Sequence, residues 1–178
     1  MENIKIMKKI FLFFSFFTFL FASEIRLLDT MEADFTQTII AEDESQIKYQ
    51  GKMYAKSPAF VLWKYQKPII KEVYIQSSKV AIFEPKLEQV IFSDLKENLD
   101  IFFLIKQAKN IKENLYTAKV LNQNYSIVTK SDIIQKLSFV DALGNKVLVE
   151  FSNIKVNHPL SDEIFIFNPP ENVDLIYQ

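Results

Sequence analysis

The side chains that most often perform catalysis are scarce in this sequence of 178 residues. His158 is the only histidine, it precedes Pro159 in a polar stretch, and the chain contains no cysteine. Zinc and copper sites usually take several histidine or cysteine ligands, so the sequence argues against such a site. Hydroxyl groups such as those of Ser57 and Ser126 have no evident base that would make them nucleophiles. We interpret His158 as a surface residue.

Carboxylates are the remaining candidates for acid–base chemistry, and they are scattered along the chain. General acid–base catalysis requires such groups to be positioned together around a substrate. The sequence contains neither the G-x-S-x-G nucleophile motif nor the G-x-x-x-x-G-K phosphate-binding motif. We interpret the acids as solvated charges and expect no enzyme activity, no cofactor and no metal. The acids considered are Asp94, Asp132, Asp141, Glu150 and Glu163.

The composition favours apolar burial over charge-driven binding. There are 17 phenylalanines and only 2 glycines, and the formal net charge is −1. Glycine is the residue that lets a loop wrap closely around a phosphate, and a basic surface is what nucleic acid requires. We therefore expect no nucleic-acid partner.

The first 22 residues have the pattern of a secretory signal peptide. Lys5, Lys8 and Lys9 precede an unbroken apolar run over residues 10–21, which ends at Ala22. This run is shorter than the roughly 20 residues that span a bilayer. We expect cleavage near Ala22 and export, which in a bacterium with two membranes places the product in the periplasm. An uncleaved anchor is the alternative.

Two predicted strands meet at a Ser-Pro corner within Gly51–Pro68. Pro58 cannot donate a ladder hydrogen bond and belongs at the break between strands, and Pro68 closes the second strand. Successive strand side chains point to opposite faces, so the alternation predicts one apolar and one polar face. The apolar set before the corner is Ile47, Tyr49, Met53 and Ala55, and the set after it is Val61, Trp63 and Tyr65.

The rest of the chain reads as further strands with two apolar helical segments. Helical spacing predicts helices over Glu24–Phe35 and Glu97–Lys109. Hairpins are expected over residues 115–129 and 133–156, a last strand over Ile164–Phe167, and an edge piece over 173–177. Residues 23–178 are thus predicted to form a single, mainly β domain with a long antiparallel sheet of about ten strands.

The apolar face of this sheet exceeds what two short helices can cover. Such a face must dimerise, pack on itself or hold something hydrophobic. The pattern alone leaves two interpretations open: the helices fill the concavity as ordinary core, or the face binds a hydrophobic ligand.

The order of several short motifs resembles that of a known family. After the first predicted helix come Phe35-Thr36-Gln37, Gly51–Pro58, Trp63–Pro68, Phe83-Glu84-Pro85 with Gln89 behind it, and Phe165–Pro170. Each motif is weak alone, but together they resemble the LolA family of periplasmic outer-membrane lipoprotein carriers over essentially the whole mature chain. The resemblance implies an unclosed β-barrel, a curved antiparallel sheet whose hydrophobic concave face is covered by a lid of short helices.

The resemblance also implies transport without covalent chemistry. Such a carrier takes a lipoprotein from an ATP-driven, ABC-type release complex in the inner membrane and covers its acyl chains. It then crosses the periplasm to the outer membrane, where a dedicated acceptor receives the cargo if one is present. We expect a monomer with lipoproteins as cargo.

Strand parity assigns the residues of the lipid-binding face, and the two helices supply the lid. For each residue, an ordinary core role and direct lipid contact are both open. The lid residues are Leu28 and Met31 from the first helix and Phe102, Phe103 and Ile105 from the second. The lining residues are Tyr49, Met53, Ala55, Val61, Trp63, Tyr65, Val73, Ile75, Leu137, Phe139 and Phe165.

One position departs from the family pattern. The family often carries an arginine immediately before the proline of the Gly51–Pro58 motif, where it hydrogen-bonds the lid shut. Here that position is Ser57, and Lys56 is expected on the opposite face. Serine lacks the forked donors of arginine, so the lid is either latched by other residues or looser.

Three other functions remain as rivals to the carrier. A related half-barrel could bind another lipid or act as a periplasmic sensor of a lipid or partner. A structural β domain with a dry core is the third hypothesis, and an enzyme is the most distant.

Overall fold

A computed structural model describes Ile25 and residues 28–94, 101–120 and 122–178. Twelve strands form one sheet, and a single short α-helix belongs to the same described part of the chain. The elements are β1 (Thr30–Ile40), β2 (Gln46–Lys56), β3 (Phe60–Lys67), β4 (Lys71–Gln76), β5 (Lys79–Glu84), β6 (Gln89–Asp94), α1 (Ile101–Gln107), β7 (Lys109–Lys112), β8 (Leu115–Val120), β9 (Gln123–Lys130), β10 (Ile133–Val140), β11 (Lys146–Val156) and β12 (Asp174–Tyr177).

The strand order is β12-β6-β5-β4-β3-β2-β1-β11-β10-β9-β8-β7, so β12 and β7 form the two edges of an open sheet. Neighbouring strands are antiparallel except β12 and β6, which are parallel. The predicted mainly β architecture is confirmed, with 12 strands in place of about ten. Strand β1 joins the two halves of the chain, because it pairs with β2 on one side and with the distant strand β11 on the other.

The sheet curves strongly toward one face. Adjacent strands lie about 4.8 Å apart, and β3 is separated from β11 by β2 and β1, so a flat sheet would hold their side chains roughly 14 Å apart. The ring centroids of Trp63 on β3 and Phe151 on β11 are nevertheless only 6.1 Å apart. We call the side toward which these rings point the concave face, and the other side the outer face.

Side chains alternate between these two faces as the sequence predicts. On β2, Met53 and Ala55 are fully buried on the concave face, whereas Lys52 and Lys56 point outward to ion pairs with Asp34 and Asp162. The outer face carries a row of charged side chains that are paired in register across strands β1 to β4. The row consists of Asp34, Lys52, Lys64 and Glu72.

The concave face is covered by α1 and by the segment before β1. Ile101, Phe102, Leu104 and Ile105 of α1 are buried in the same apolar cluster as the inner side chains of the sheet. Ile25 and Leu28 belong to that cluster as well. In the described part of the chain, no helix has both the length and the apolar character needed to cross a membrane.

Two predicted elements are wrong in part. Met31 and Phe35 lie on strand β1, which begins at Thr30, so the predicted first helix does not extend through Phe35; residues 24, 26 and 27 lie outside the described residues. Strand β7, which follows α1, was not predicted from the sequence. The helix predicted over Glu97–Lys109 is observed as α1 over Ile101–Gln107, but Lys109 belongs to strand β7; residues 97–100 lie outside the described residues.

The predicted strand at Ile164–Phe167 is also wrong. Residues Asp162–Phe165 form a 3-10 turn, which begins where the Ser161 side chain accepts a hydrogen bond from the backbone N–H of Glu163. The predicted edge piece is confirmed as β12. The predicted signal peptide, residues 1–22, lies outside the described residues.

Candidate functional site

The concave face is a continuous apolar surface with an aromatic centre. The Phe35 ring makes edge-to-face contacts with Trp63 and Tyr65, at centroid distances of 4.9 Å and 5.0 Å. Trp63 continues the contact to Phe151 on the far side of β1. These rings therefore connect strands that are not neighbours in the sheet.

Glycine on β2 makes room for this aromatic centre. Gly51 stands opposite Phe35 on β1 and Tyr65 on β3. A Cβ atom there would lie 2.8 Å from Cε1 of Phe35, closer than Cβ atoms approach in proteins. The β2–β3 register also shifts between Gln50 and Gly51, which brings the β3 backbone against this position.

Most of the residues predicted to line the concave face do lie there. Met53, Ala55, Val61 and Leu137 are buried in the central cluster. The partly buried side chains packed on that cluster include Trp63, Tyr65, Ile75 and Phe139. Tyr49 touches Tyr65 edge-on at 5.9 Å, and Val73 stands opposite Trp63 in the β3–β4 ladder. Lipid contact by these residues remains a prediction.

Phe165 lies on the outer face, so the prediction that it lines the concave face is wrong. Its ring lies 5.8 Å from that of Phe60, whose neighbour Val61 points into the concave face, and its carbonyl accepts a hydrogen bond from Gln76. The side chain is buried on the outer face, where the turn that carries it packs against β3 and β4. The aromatic motif around it was mistaken for a strand because a short apolar run does not distinguish a strand from a packed turn.

The predicted lid residues are found on different elements. Phe102, Phe103 and Ile105 lie on α1, with Phe102 and Ile105 buried and Phe103 partly buried against the cluster. Leu28 precedes β1 and is also buried, whereas Met31 is a residue of the sheet itself. Met31 therefore forms part of the wall that a lid would cover.

Several contributors to the concave face were missed from the sequence. They come from β1 and from the second half of the sheet, where the alternation of buried and exposed residues was present but unassigned. They include Phe35, Tyr116, Tyr125, Ile127, Ile134, Val149 and Phe151.

The segment before β1 is fastened by backbone and amide groups. The Ser57 N–H donates to the Asp29 carbonyl at 2.8 Å, and the Asp29 N–H donates to the side-chain oxygen of Asn157 at 3.0 Å. The Asn157 N–H in turn donates to the Thr30 carbonyl at 2.9 Å. We call Asp29, Thr30, Ser57 and Asn157 the N-terminal latch; Ser57 takes part through its backbone, a role that needs no arginine side chain.

The candidate catalytic groups considered above serve local structure. Asp94 pairs with Lys79 and Glu150 with Lys136. Asp141 accepts hydrogen bonds in the β10–β11 turn, chiefly from Asn145, which lower the pKa of its carboxyl group. The ring Nε2 of His158 lies 3.6 Å from Glu32.

At the less covered end of the concave face, the aromatic centre meets polar groups. The Tyr65 hydroxyl donates to Oε1 of Gln37 at 2.8 Å, and the Lys71 ammonium lies 4.6 Å from the centroid of the Tyr65 ring. Burial raises the pKa of Tyr65 to about 12, so its hydroxyl is neutral at physiological pH. The polar members of this group escaped sequence analysis because only apolar residues were assigned to the face.

Known proteins that resemble this chain are consistent with its open sheet and apolar concave face. The family model described as outer membrane lipoprotein carrier protein LolA matches residues 26–129. The chain belongs to this family. The match covers α1 and β1–β9 up to the penultimate residue of β9. These elements supply Phe35, Trp63 and Tyr65 of the aromatic centre and its helical cover, whereas Phe151 lies on β11, beyond the match.

Curated relatives extend the similarity beyond that match. The outer-membrane lipoprotein carrier protein of Wolinella succinogenes is 41% identical over 152 residues, covering 85% of this chain and 88% of its own. The protein of that name from Campylobacter jejuni is 35% identical over 172 residues, covering 96% of this chain and 99% of its own. An uncharacterized conserved protein of known structure from Thermus thermophilus shares the fold, with a TM-score of 0.52 at 11% identity over 85% of this chain and 92% of that one.

Proposed function

We propose that this LolA-family chain is a periplasmic carrier that holds the acyl chains of lipoproteins against its concave face. The observation that supports this most directly is the aromatic centre, in which Phe35, Trp63 and Phe151 span non-neighbouring strands around one apolar concavity. Membership of the outer membrane lipoprotein carrier family supplies the class of cargo.

The energetics require a face of this kind. Each methylene group transferred from lipid to water costs about 0.8 kcal/mol, so exposing several acyl chains would cost on the order of tens of kcal/mol. A carrier must offset most of that free-energy cost by burying the acyl chains on its own apolar surface. It must also release its cargo, and no nucleotide is expected in the periplasm to drive the release.

Competition between the lipid and the protein's own side chains can tune the affinity. In the described structure, α1 and Leu28 occupy the concave face together with the inner side chains of the sheet. Acyl chains that enter must displace part of this cover, so part of the binding free energy is used for opening. The affinity is then low enough for transfer to a partner that binds the cargo more tightly.

The further steps of transport are also part of the proposal. Residues 1–22 act as a cleavable signal peptide, and residues 23–178 form the single carrier domain. The carrier receives lipoproteins from an ABC-type release complex in the inner membrane and works as a monomer. It transfers them to the outer membrane, through a dedicated acceptor where the organism has one.

A release assay tests this function. Spheroplasts of the source bacterium that carry newly made lipoproteins are incubated with the purified mature protein, and the soluble fraction is probed for a 1:1 complex. We expect release by the native protein and a loss of release with Trp63→Glu, since a charge in the aromatic centre opposes acyl burial. Val128→Glu is the matched control, because Val128 is a partly exposed apolar residue on the outer face of β9.

The controls separate function from folding. Both variants are first compared by circular dichroism and by their urea unfolding midpoints, so that a misfolded protein is recognised. Equal release by Trp63→Glu and Val128→Glu would exclude the concave face as the binding site. Absence of release by the native protein, with an active release complex present, would contradict the carrier function and favour a related half-barrel with another ligand.

A further inference from the structure

Four polar or amphipathic side chains gather where the concave face passes from buried to exposed. Gln37 on β1 stands opposite Tyr49 on β2, and Tyr65 on β3 stands opposite Lys71 on β4. The two tyrosine rings meet edge-on at 5.9 Å, which joins the pairs. We call these four residues the donor girdle.

The position of the girdle marks a boundary. One step inward on the same face lie Phe35 and Trp63, which belong to the apolar aromatic centre. One step outward on β2 lies Ile47, whose side chain is 53% exposed. A lipid whose chains follow the apolar face inward would therefore place the atoms at the head of those chains at the girdle.

The hydrogen-bonding groups left over at this boundary are mainly donors. The Tyr65 hydroxyl occupies Oε1 of Gln37, which leaves the Gln37 amide N–H groups to donate elsewhere. Lys71 forms no ion pair with any described residue, and its ammonium rests over the Tyr65 ring. The half-buried cation and the amide are thus directed toward an acceptor that the described residues do not supply.

The two acids nearest to Lys71 bond to other groups and form no ion pair with it. Glu72, adjacent to Lys71 in sequence, points to the outer face and pairs with Lys64 at 3.2 Å. Glu84 at the end of β5 shares the face of Lys71, and it accepts a hydrogen bond from Gln89 at 2.6 Å. A site with a cation and amide donors, in which the one carboxylate is already bonded to another amide, suits oxygen acceptors such as ester carbonyls.

We propose that the donor girdle binds the ester carbonyl oxygens that link acyl chains to a glyceryl head, while the chains themselves run inward over the aromatic centre. This inference rests on the proposed carrier function and goes beyond it, because it makes the carrier recognise acylglycerol esters and not merely hydrocarbon. Ester carbonyl oxygens accept hydrogen bonds but cannot donate them, which matches the free N–H donors of Lys71 and Gln37.

Two lipopeptides that differ only at the linkage test the proposal. One carries a cysteine with a diacylglyceryl group, and the other carries the dialkyl ether analogue, which has chains of the same length but lacks the carbonyl oxygens. Binding to the full mature protein is measured by isothermal titration calorimetry. Hydrogen bonds to charged donors are strong enough that we expect the native protein to bind the ester about tenfold more tightly than the ether.

Substitutions assign this preference to the girdle. We expect Lys71→Met and Gln37→Leu each to lower the ester-to-ether affinity ratio to about a third or less, and Lys71→Arg to retain it. Lys48→Met is the matched control, since Lys48 lies on the outer face of β2 at the same end of the sheet, and it should leave the ratio unchanged. Because the readout is a ratio of two ligands on one protein, a general loss of stability does not imitate the effect.

The outcomes separate this inference from the carrier function. Equal affinity of the native protein for the two lipopeptides, or a preference that Lys71→Met does not reduce, would overturn the girdle while leaving the carrier intact. Binding of neither lipopeptide would overturn both. If an ether-linked lysophospholipid bound with the same dependence on Lys71, the acceptor would be a phosphate and the carbonyl assignment would be wrong.

Discussion

Gly51 lies directly beneath the ring of Phe35, and the absence of its side chain is what allows the aromatic centre to form. A Cβ atom at Gly51 would lie 2.8 Å from the Phe35 ring and would overlap the carbonyl oxygen of Lys64 on the next strand. The contact with Phe35 involves a side chain, whereas the contact with Lys64 involves the backbone. The close packing of β2 against Phe35 and the Lys64 backbone therefore requires that position 51 carries no side chain.

The close approach predicts that Gly51→Ala destabilises the protein more than a single methyl group normally would. Overpacking of a core costs about 1–3 kcal/mol, and we expect the upper end because the backbone of Lys64 cannot rotate away. Urea unfolding measures the change. Phe35→Leu in the same chain should not rescue the loss, since it relieves only the ring contact.

A second glycine provides the control. Gly144 has φ of +85° in the β10–β11 turn, and the nearest atom to a Cβ there is the flexible end of Glu42 at 3.1 Å. Asparagine tolerates this backbone region, so Gly144→Asn should cost less than about 1 kcal/mol. Comparable losses at the two positions would contradict the importance of the close approach.

Trp63 is the only tryptophan, and it reports directly on the concave face. We predict that fatty acids brominated along the chain quench its fluorescence on binding, because the bromine atoms would reach the aromatic centre. The control is Trp63→Phe combined with Tyr74→Trp, which moves the reporter to the outer face, where Tyr74 contacts Phe167 at 4.9 Å. Stronger quenching of the outer reporter would place the lipid on the wrong side of the sheet for the proposed function.

The sequence predicts the sheet around Gly51–Pro68 correctly because the strand period is unambiguous there. Apolar residues alternate with lysines, and only one face of the strand can be buried. The end of the first predicted helix is wrong because Ile25, Leu28 and Met31 fit a helical stripe, while Met31, Ala33 and Phe35 fit a strand equally well. Pairing with β2 and with the distant β11 decides between the two, and local spacing contains no information about that pairing.

The site was predicted less completely than the fold for a related reason. Parity places Gln37 and Lys71 on the same face as Phe35 and Val73, but a rule that assigns only apolar residues to a lining leaves them out. Phe165 shows the opposite error, since its apolar character was visible but its face was not. That face is set by the 3-10 turn that begins at Ser161, which depends on a local hydrogen bond.

The N-terminal latch predicts a variant that binds acyl chains more tightly. Asn157→Gly keeps the left-handed φ of 55° but removes the side-chain oxygen that accepts from the Asp29 N–H. Loss of this bond costs about 1 kcal/mol, which loosens Leu28 on the concave face. If acyl chains displace that segment, their affinity should rise by up to about fivefold, as measured with a fluorescent fatty acid.

A matched asparagine separates the latch from general effects of glycine. Asn172 also has a positive φ, of 63°, and lies in an exposed turn; its side chain makes no hydrogen bond to the described residues. Asn172→Gly should change neither the affinity nor the hydrogen exchange of residues 28–30. An unchanged affinity in Asn157→Gly, together with faster exchange there, would show that the segment is latched but does not compete with lipid.

The outer-face charge row predicts how stability depends on pH. Asp34 accepts hydrogen bonds from Asn153 at 2.6 Å and from Lys52 at 2.7 Å, and these contacts, the Asn153 bond most of all, hold the pKa of its carboxyl group below the ordinary value. A carboxyl group whose pKa is lower in the folded state stabilises the fold above its unfolded pKa of about 3.9. This contribution is lost as the pH falls through the lower, folded pKa.

Asp34→Asn should therefore be less stable than the native protein at neutral pH, and the difference between the two should shrink in acid. Urea midpoints between pH 7 and pH 2 measure this convergence, which should begin near pH 4 because the unfolded carboxyl group takes up its proton first. Glu171→Gln is the matched acid-to-amide control, at an exposed position without an ion pair to the described residues, and should follow the native curve. A constant difference between Asp34→Asn and the native protein across this range would show that the aspartate acts through its shape and not through its charge.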